Sequence, residues 1–457
     1  MIQRHNKEAH KFLQNQEHAK WHDATFWGMR AKRDMRSREL PEWEALRDAS
    51  AAIKDYSTSH LPELLTQFEE NAVRNGAIVH WAADAEEYRN IVLKILTSHS
   101  VKKFIKSKSM LAEECELDPF LEQNGIDVTE SDLGERILQL LHSRPSHIVV
   151  PALHITKEEV GELFTREMGA EKGNDDPTYL THVARRAMRH LYHEAEAAMT
   201  GANFAIAQTG ECVVCTNEGN ADLGASLCKL QITAFGLEKV IPDRKSESVF
   251  TRLLARSATG QDITAYTSHY RKPQKGGELH IIIVDNGRSK RLSDEAHRKT
   301  LRCIRCGACM NTCPVYRRSG GYSYSYFIPG PIGINLGMSA DVEKYRGNVS
   351  ACSLCYSCQD VCPAKIDLAD QIFAWRGELA SRGMASPVKG LMSEGMKFMY
   401  THNSIYNSAL KLAPLFEYVP HFVIAAANHF NGWGKEREMP HFAKQNFNEW
   451  WKKNKKK

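Results

Sequence analysis

Two runs of cysteine constrain this chain more than any other feature. The first reads Cys303-x-x-Cys306-x-x-Cys309-x-x-x-Cys313-Pro314, and the second repeats that spacing unchanged as Cys352-x-x-Cys355-x-x-Cys358-x-x-x-Cys362-Pro363. Three cysteines separated by two residues each let a short loop wrap a cubane and offer sulfurs to three of its irons. The fourth iron is reached from elsewhere. A run of this kind, written twice and ending in Cys-Pro, implies two [4Fe–4S] clusters held by thiolates. Pro314 and Pro363 fix φ and lack an N–H, so the chain turns away from a cluster there. Two clusters in one chain suit the passage of single electrons.

In two-cluster ferredoxins the cysteine before the proline ligates the other cluster. Carried over here, one cluster takes Cys303, Cys306, Cys309 and Cys362, and the other takes Cys352, Cys355, Cys358 and Cys313. Structural zinc is the competing reading. Zinc sites draw four ligands from separated Cys or Cys/His pairs, which fits a doubled run of four poorly. A disulfide framework fits less well, since a long chain without a secretory signal needs no staples.

The chain has 457 residues and a formal charge of +5, enough length for several domains and an ample core. Its first residues lack the apolar segment of a signal peptide. The nearest approach to an apolar span, Val419 to Phe430, is short and interrupted by Pro420, His421, Asn428 and His429, so no transmembrane helix is expected. Oxygen-sensitive clusters and many thiols point to a cytoplasmic protein. The charge excess is too small to imply nucleic-acid binding, and no nucleic-acid module accompanies it. Basic residues do crowd the first cysteine run, from Arg288 to Arg318, where they would favour a reduced cluster or guide an acidic partner. The terminal Trp450-Trp451-Lys452-Lys453 stretch and the lysines after it are a candidate for peripheral contact with the inner face of a membrane, beside the plainer reading of a solvated end.

Four regions follow from the pattern. Residues 1–68 read as a charged, helical segment broken at Pro41, with little core of its own. Residues 69–291 alternate apolar strand-like runs with helices, which predicts an α/β domain with a largely parallel sheet. The expected strands are Ile78–Trp81, Lys103–Ser107, His147–Ala152, Asn203–Gln208, Glu211–Thr216, Gln231–Phe235 and His280–Asp285; the expected helices include Ala85–Ser98 and Thr178–Met199. Residues 292–385 form the mainly α-helical, ferredoxin-type two-cluster domain, with a Gly- and Pro-rich loop from Gly320 to Gly333 and a helix whose face carries Leu368, Ile372, Trp375 and Leu379. Residues 386–457 are a helical extension with a basic tail.

Further strings carry a resemblance. Lys106-Ser107-Lys108-Ser109-Met110, Asp132-Leu133-Gly134-Glu135, Pro145-Ser146-His147-Ile148-Val149 and Gly201-Ala202-Asn203-Phe204 precede the more specific Thr216-Asn217-Glu218-Gly219-Asn220 and Pro329-Gly330-Pro331-Ile332-Gly333. Together with the cysteine spacing they resemble the lactate utilization iron–sulfur protein B family along nearly the whole chain. The resemblance implies an α/β lactate-utilization domain like ribose-phosphate isomerases and CoA transferases. It also implies an electron-transfer role, rather than catalysis, in a complex that oxidises L-lactate to pyruvate. Its implied partners are a cysteine-rich-domain iron–sulfur protein and a smaller protein made of the lactate-utilization domain alone. The second run of that family commonly begins at the position of Cys355. Here Cys352 supplies an eighth cysteine, and the repeated spacing favours its ligating iron.

Other residues carry plainer readings. Cys212 and Cys215 lie three apart on an expected strand, so they point to opposite faces and cannot close on one metal. His190 and His193 share a helix face but lack the His-Glu-x-x-His pattern. Glu218, after an expected strand, is a candidate base or carboxylate nucleophile by analogy with CoA transferases, while Gly219 beside it suits a turn with positive φ. Lys106 and Lys108 are candidates for binding a small carboxylate substrate. No G-x-G-x-x-G or P-loop is present, so the two-electron acceptor that lactate oxidation requires is expected in a partner. An α/β enzyme using Glu218 with redox-sensing clusters, and a subunit of a glycolate-type oxidase, are the alternatives.

Overall fold

The computed structural model describes residues 2–384, 387–420, 422–423, 443 and 445–455. The stretch 424–430 of the apolar segment noted above, and Lys456–Lys457 of the basic tail, lie outside them. The chain separates into two compact units, Met1–Gly377 and Glu378–Lys457.

The first unit is built on ten strands. Six of them, β1 (Ile78–Ala82), β2 (Lys103–Lys106), β3 (Asp127–Glu130), β4 (Ala197–Gly201), β7 (Leu230–Gly236) and β10 (Glu278–Val284), form one sheet in the order β1-β10-β7-β4-β2-β3. Every neighbouring pair in it is parallel. Its central strands read as continuous apolar runs because both faces are covered, as parallel sheets require. In β10, Ile282 and Val284 pack on one face with Tyr88, Val92 and Leu96 of the helix Ala85–Ser98. Ile281 and Ile283 pack on the other with Leu64, Leu65 and Phe68 of the helix Leu61–Arg74.

The remaining strands, β5 (Phe204–Ile206), β6 (Glu211–Thr216), β8 (Val240–Ile241) and β9 (Tyr266–Tyr270), form a second sheet in the order β8-β5-β6-β9. Its β5–β6 and β6–β9 pairs are antiparallel. Two of the expected strands therefore leave the parallel sheet. The short Thr209-Gly210 turn between them permits a hairpin but no crossover. Cys212 packs in the core under the large sheet while Cys215 packs in a different cluster with Phe204 and Cys306, on the opposite face as expected.

Two secondary-structure assignments within the α/β region change. The helix expected over Thr178–Met199 ends at Glu194, and Ala197–Gly201 is strand β4 between β2 and β7. Pairing on both edges overrides the helix preference of its alanines. His147–Ala152 is an irregular segment rather than a strand. Its apolar character reflects burial: His147 and Ile148 are buried, and His147 donates through Nε2 to Asn311 Oδ1 of the cysteine region (3.1 Å). Its Nδ1 accepts the Val149 and Val150 amides, and burial depresses its pKa to about 3, so the ring is neutral.

The N-terminal helices Gln16–Arg38 and Trp43–Ser59 lie against the helix Arg244–Thr259, and the first of them also meets the short helices Ala308–Thr312 and Pro314–Ser319 of the cysteine region. The cysteine region is largely helical, with longer helices at Gly330–Ala340 and Leu368–Ser381. The expected Gly320–Gly333 loop thus gives way to a helix at Gly330, since Pro331 falls in the first turn where a missing N–H costs nothing. Leu368, Ile372 and Trp375 are buried along one helix face, as the periodicity implies.

The second unit holds the helices Pro387–Thr401, Asn403–Leu412 and Phe447–Asn454. Phe447, Trp450 and Trp451 of the last are exposed. Among the described residues no helix is long and apolar enough to cross a membrane.

Candidate functional site: two cysteine loops beside a sheet-edge cavity

The cysteine loops repeat in backbone as well as in sequence. Two residues after the first cysteine, Arg305 and Leu354 adopt positive φ (62° and 53°); four residues after it, Gly307 and Tyr356 do so again (74° and 63°). Residues with side chains rarely hold that conformation unless their surroundings impose it. The curl turns amides toward sulfur. The Arg305 and Leu354 N–H groups donate to the sulfurs of Cys303 and Cys352 (3.4 and 3.3 Å), and those of Tyr316 and Ile366 to Cys313 and Cys362 (3.5 and 3.4 Å). Such donors stabilise thiolate and the added electron of a reduced cluster.

The eight sulfurs fall into two groups. Cys303, Cys306 and Cys309 line one pocket together with Cys362 of the second run, closed by Ile148, Ile304, Ile332, Ile366 and Leu368. Cys313 lies within electrostatic reach of Cys352 and Cys355, and Cys358 within reach of all three. The groups adjoin, since Cys309 and Cys358 also influence each other. Burial pushes the Cys306 thiol up to about 12 and Cys362 to about 11. Four thiolates in such a pocket require a cation to balance them, so the donor set suits an iron–sulfur cubane. The groups differ in exposure chiefly at Cys355, which is exposed; Cys303 and Cys352 are half-buried and the other five are buried.

Residues far away in sequence hold these loops, and nothing in the cysteine spacing signals them. Arg33 donates to the Val361 carbonyl (2.9 Å), and Arg47 to those of Asp360 (2.7 Å) and Cys362 (3.1 Å). Arg376 donates to the Cys352 carbonyl (2.5 Å). The basic residues around the first run are mostly paired. Arg302 meets Asp55, Lys299 meets Asp367, and Arg317 and Arg318 share Asp23. They staple the segments together rather than form a free basic patch.

Beside the first loop, at the C-terminal ends of β2, β4, β7 and β10, lies a cavity of about 270 Å³. Glu218 and Lys108 line it and Lys106 does not. Lys106 is fully buried, with its ammonium bound to Glu130 and 3.3 Å from Asp118. Glu218 follows β6 of the small sheet rather than a strand of the parallel one. It reaches the cavity mouth, where it accepts the Leu133 N–H (3.2 Å). Surrounding protein and the Asp132 carboxylate raise its pKa. Gly219 has φ 67°, as a turn there requires. Gly236, at the end of β7, has no room for a side chain because Arg288 and Glu238 cross it. Arg288 there bridges Glu238 (2.5 Å) and Glu114 (2.8 Å). Lys239 and Arg305 complete the charged lining. Arg305 belongs to the basic run expected around the first cysteines, whereas Lys239 did not stand out in sequence.

Comparison with known proteins agrees with this arrangement. The LUD domain model matches residues 65–292, and the 4Fe-4S dicluster domain model matches residues 299–366. The second match, with its cysteines, gives the chain two [4Fe–4S] clusters. Lactate utilization protein B of Geobacillus thermodenitrificans is 39% identical over 427 residues, covering 91% of this chain and 89% of its own length. That of Bacillus cytotoxicus is 38% identical over 428 residues, covering 92% and 90%. The Escherichia coli K12 protein YkgF, described as an uncharacterized electron transport protein, is 35% identical over 434 residues, covering 91% and 89%. With an α/β domain on a six-stranded parallel sheet and a largely helical dicluster region, the chain belongs to the lactate utilization protein B family.

Proposed function

We propose that the chain relays single electrons through its two clusters within a complex that oxidises L-lactate to pyruvate. In this reading Cys303, Cys306, Cys309 and Cys362 hold the first cluster, and Cys352, Cys355, Cys358 and Cys313 the second. The observation that carries it is that Cys362 lines one pocket with Cys303, Cys306 and Cys309, while Cys313 lies within electrostatic reach of Cys352, Cys355 and Cys358, the last group open at Cys355. The clusters supply reversible one-electron storage. The chain contributes N–H donors to sulfur, an apolar jacket and arginine clamps on the loop carbonyls. Lactate gives up two electrons and two protons, so a two-electron acceptor in a partner divides the pair. A cysteine-rich-domain iron–sulfur protein and a smaller protein of the lactate-utilization domain are the partners this role calls for, with the open edge at Cys355 the natural docking point. The α/β domain is read as akin to ribose-phosphate isomerases and CoA transferases.

The ligand sets are tested by EPR of dithionite-reduced variants. Cys306→Ser and Cys362→Ser should disturb the same signal, and Cys313→Ser and Cys352→Ser the other. Pairing of Cys313 with Cys306 would refute these sets, and an unaltered spectrum in Cys352→Ser would leave the second cluster with three cysteines. A second reading, a carboxylate-handling enzyme with Glu218 as base or nucleophile, draws on the place of Glu218 at the cavity mouth. Glu218→Gln separates the two, since a relay passes electrons at an undiminished rate without that carboxylate.

A further inference from the structure

A relay needs no cavity at the edge of the sheet, yet this one is built with care. It sits where open α/β sheets bind ligands, beyond the C-terminal ends of the strands. Ala202, Phe235, Leu254 and Ala258 give it apolar walls. Ile148 lines both this cavity and the pocket of the first cysteine group, so a single side chain separates them. Arg305, between Cys303 and Cys306, reaches into it.

The charges along its walls are not all closely paired. Arg288 is satisfied by Glu114 and Glu238. Lys108 stands 3.5 Å from Glu135. Lys239 is only 9% exposed, makes no hydrogen bond or close ion pair among the described residues, and feels the Glu238 carboxylate and the Cys303 sulfur only at longer electrostatic range. Arg305 keeps one arm 3.7 Å from Glu238, while its Nη1 is buried without a partner. Burying the Arg305 Nη1 without a partner is costly, and with one carboxylate, Glu238, serving Arg288, Lys239 and Arg305 together, the cavity is prepared for an anion. Glu218 and Asp132 line the same space and oppose a second negative charge, and the apolar wall favours carbon. The volume is below that of sites for drug-sized ligands.

We propose that the cavity binds a small organic monocarboxylate, its carboxylate held by Lys239 and Arg305 beside the first cysteine loop. This goes beyond the relay and does not depend on it. A carboxylate on Arg305 places negative charge next to Cys303, so occupancy lowers the reduction potential of the first cluster and leaves the second less affected.

The test is equilibrium dialysis of labelled pyruvate against the cluster-loaded full chain, alongside Lys239→Met and the exposed control Lys290→Met. The expected result is one pyruvate per chain, bound at least about tenfold more weakly by Lys239→Met, with Lys290→Met unchanged and iron content equal in all three. A second measurement needs no variant. Saturating L-lactate should slow acetylation of Lys239 by a succinimidyl ester and leave Lys290 unprotected. Equal binding by Lys239→Met, displacement of pyruvate by inorganic phosphate as readily as by L-lactate, absence of binding at about 10 mM, or no protection of Lys239 would each overturn the proposal. Any of these leaves dithionite-reducible clusters, and with them the relay, untouched.

Discussion

Lys106 and Lys108 stand two positions apart, and on a longer strand both would face the same way. The strand stops at Lys106, so the rule no longer links them: Lys106 turns into the protein and Lys108 into the cavity. Lys106 neutralises a cluster of carboxylates, buried Glu130 and half-buried Asp118, beside the half-buried Glu113. Those three acids would otherwise resemble a metal site, and the ammonium already fills that role. Removing one partner from a buried pair leaves the other charge uncompensated, at about 3–5 kcal/mol. Lys106→Met should therefore lower the urea midpoint by that equivalent without changing pyruvate binding, and a variant of unchanged stability would show the pairing to be idle. The sequence marked Lys106 and Lys108 alike because alternation was the only rule available. Lys239 went unmarked because its place on the cavity wall, with Glu238 shared between it, Arg288 and Arg305, exists only in the packed structure.

The cysteine loops are the elements most legible in advance, since ligand spacing is a property of local chain alone. Strands β7 and β10 were equally readable from their long apolar runs, and β1 and β2 from shorter ones. Strand β4 was hidden, because Ala197-Ala198-Met199 prefers helix until two neighbours pair with it. The segment at His147 misled in the other direction, its apolar residues serving contact with the cysteine region instead of a sheet. That contact fixes a difference between the loops. At the matching positive-φ position the second loop carries the exposed Tyr356, while the first carries Gly307, where a Cβ would fall 2.8 Å from the His147 ring. Gly307→Ala adds that clash to a conformational cost of about 1–2 kcal/mol. It should make the first cluster labile in air and spare the second, so that iron per chain settles near about four rather than about eight. Equal loss of both clusters, or of neither, would contradict this account of the loop.

At the scale of the molecule, the N-terminal helices are part of the redox apparatus. They looked in sequence like a charged segment with little core, yet Phe26 packs against His147 and Tyr316, while Arg33 and Arg47 clamp the chain around Cys362. No local pattern encodes contacts some three hundred residues apart. The result is a line of functions across one unit: a cavity at the sheet edge, a buried sulfur group, an adjoining group, and an exposed cysteine. Rapid-freeze EPR of this chain mixed with L-lactate, alone and with its partner proteins, tests that line most directly. The account predicts reduced-cluster signals from both sulfur groups within turnover when the partners are present, and none from the chain alone. Clusters that stay oxidised while the complete assembly converts lactate to pyruvate would contradict it.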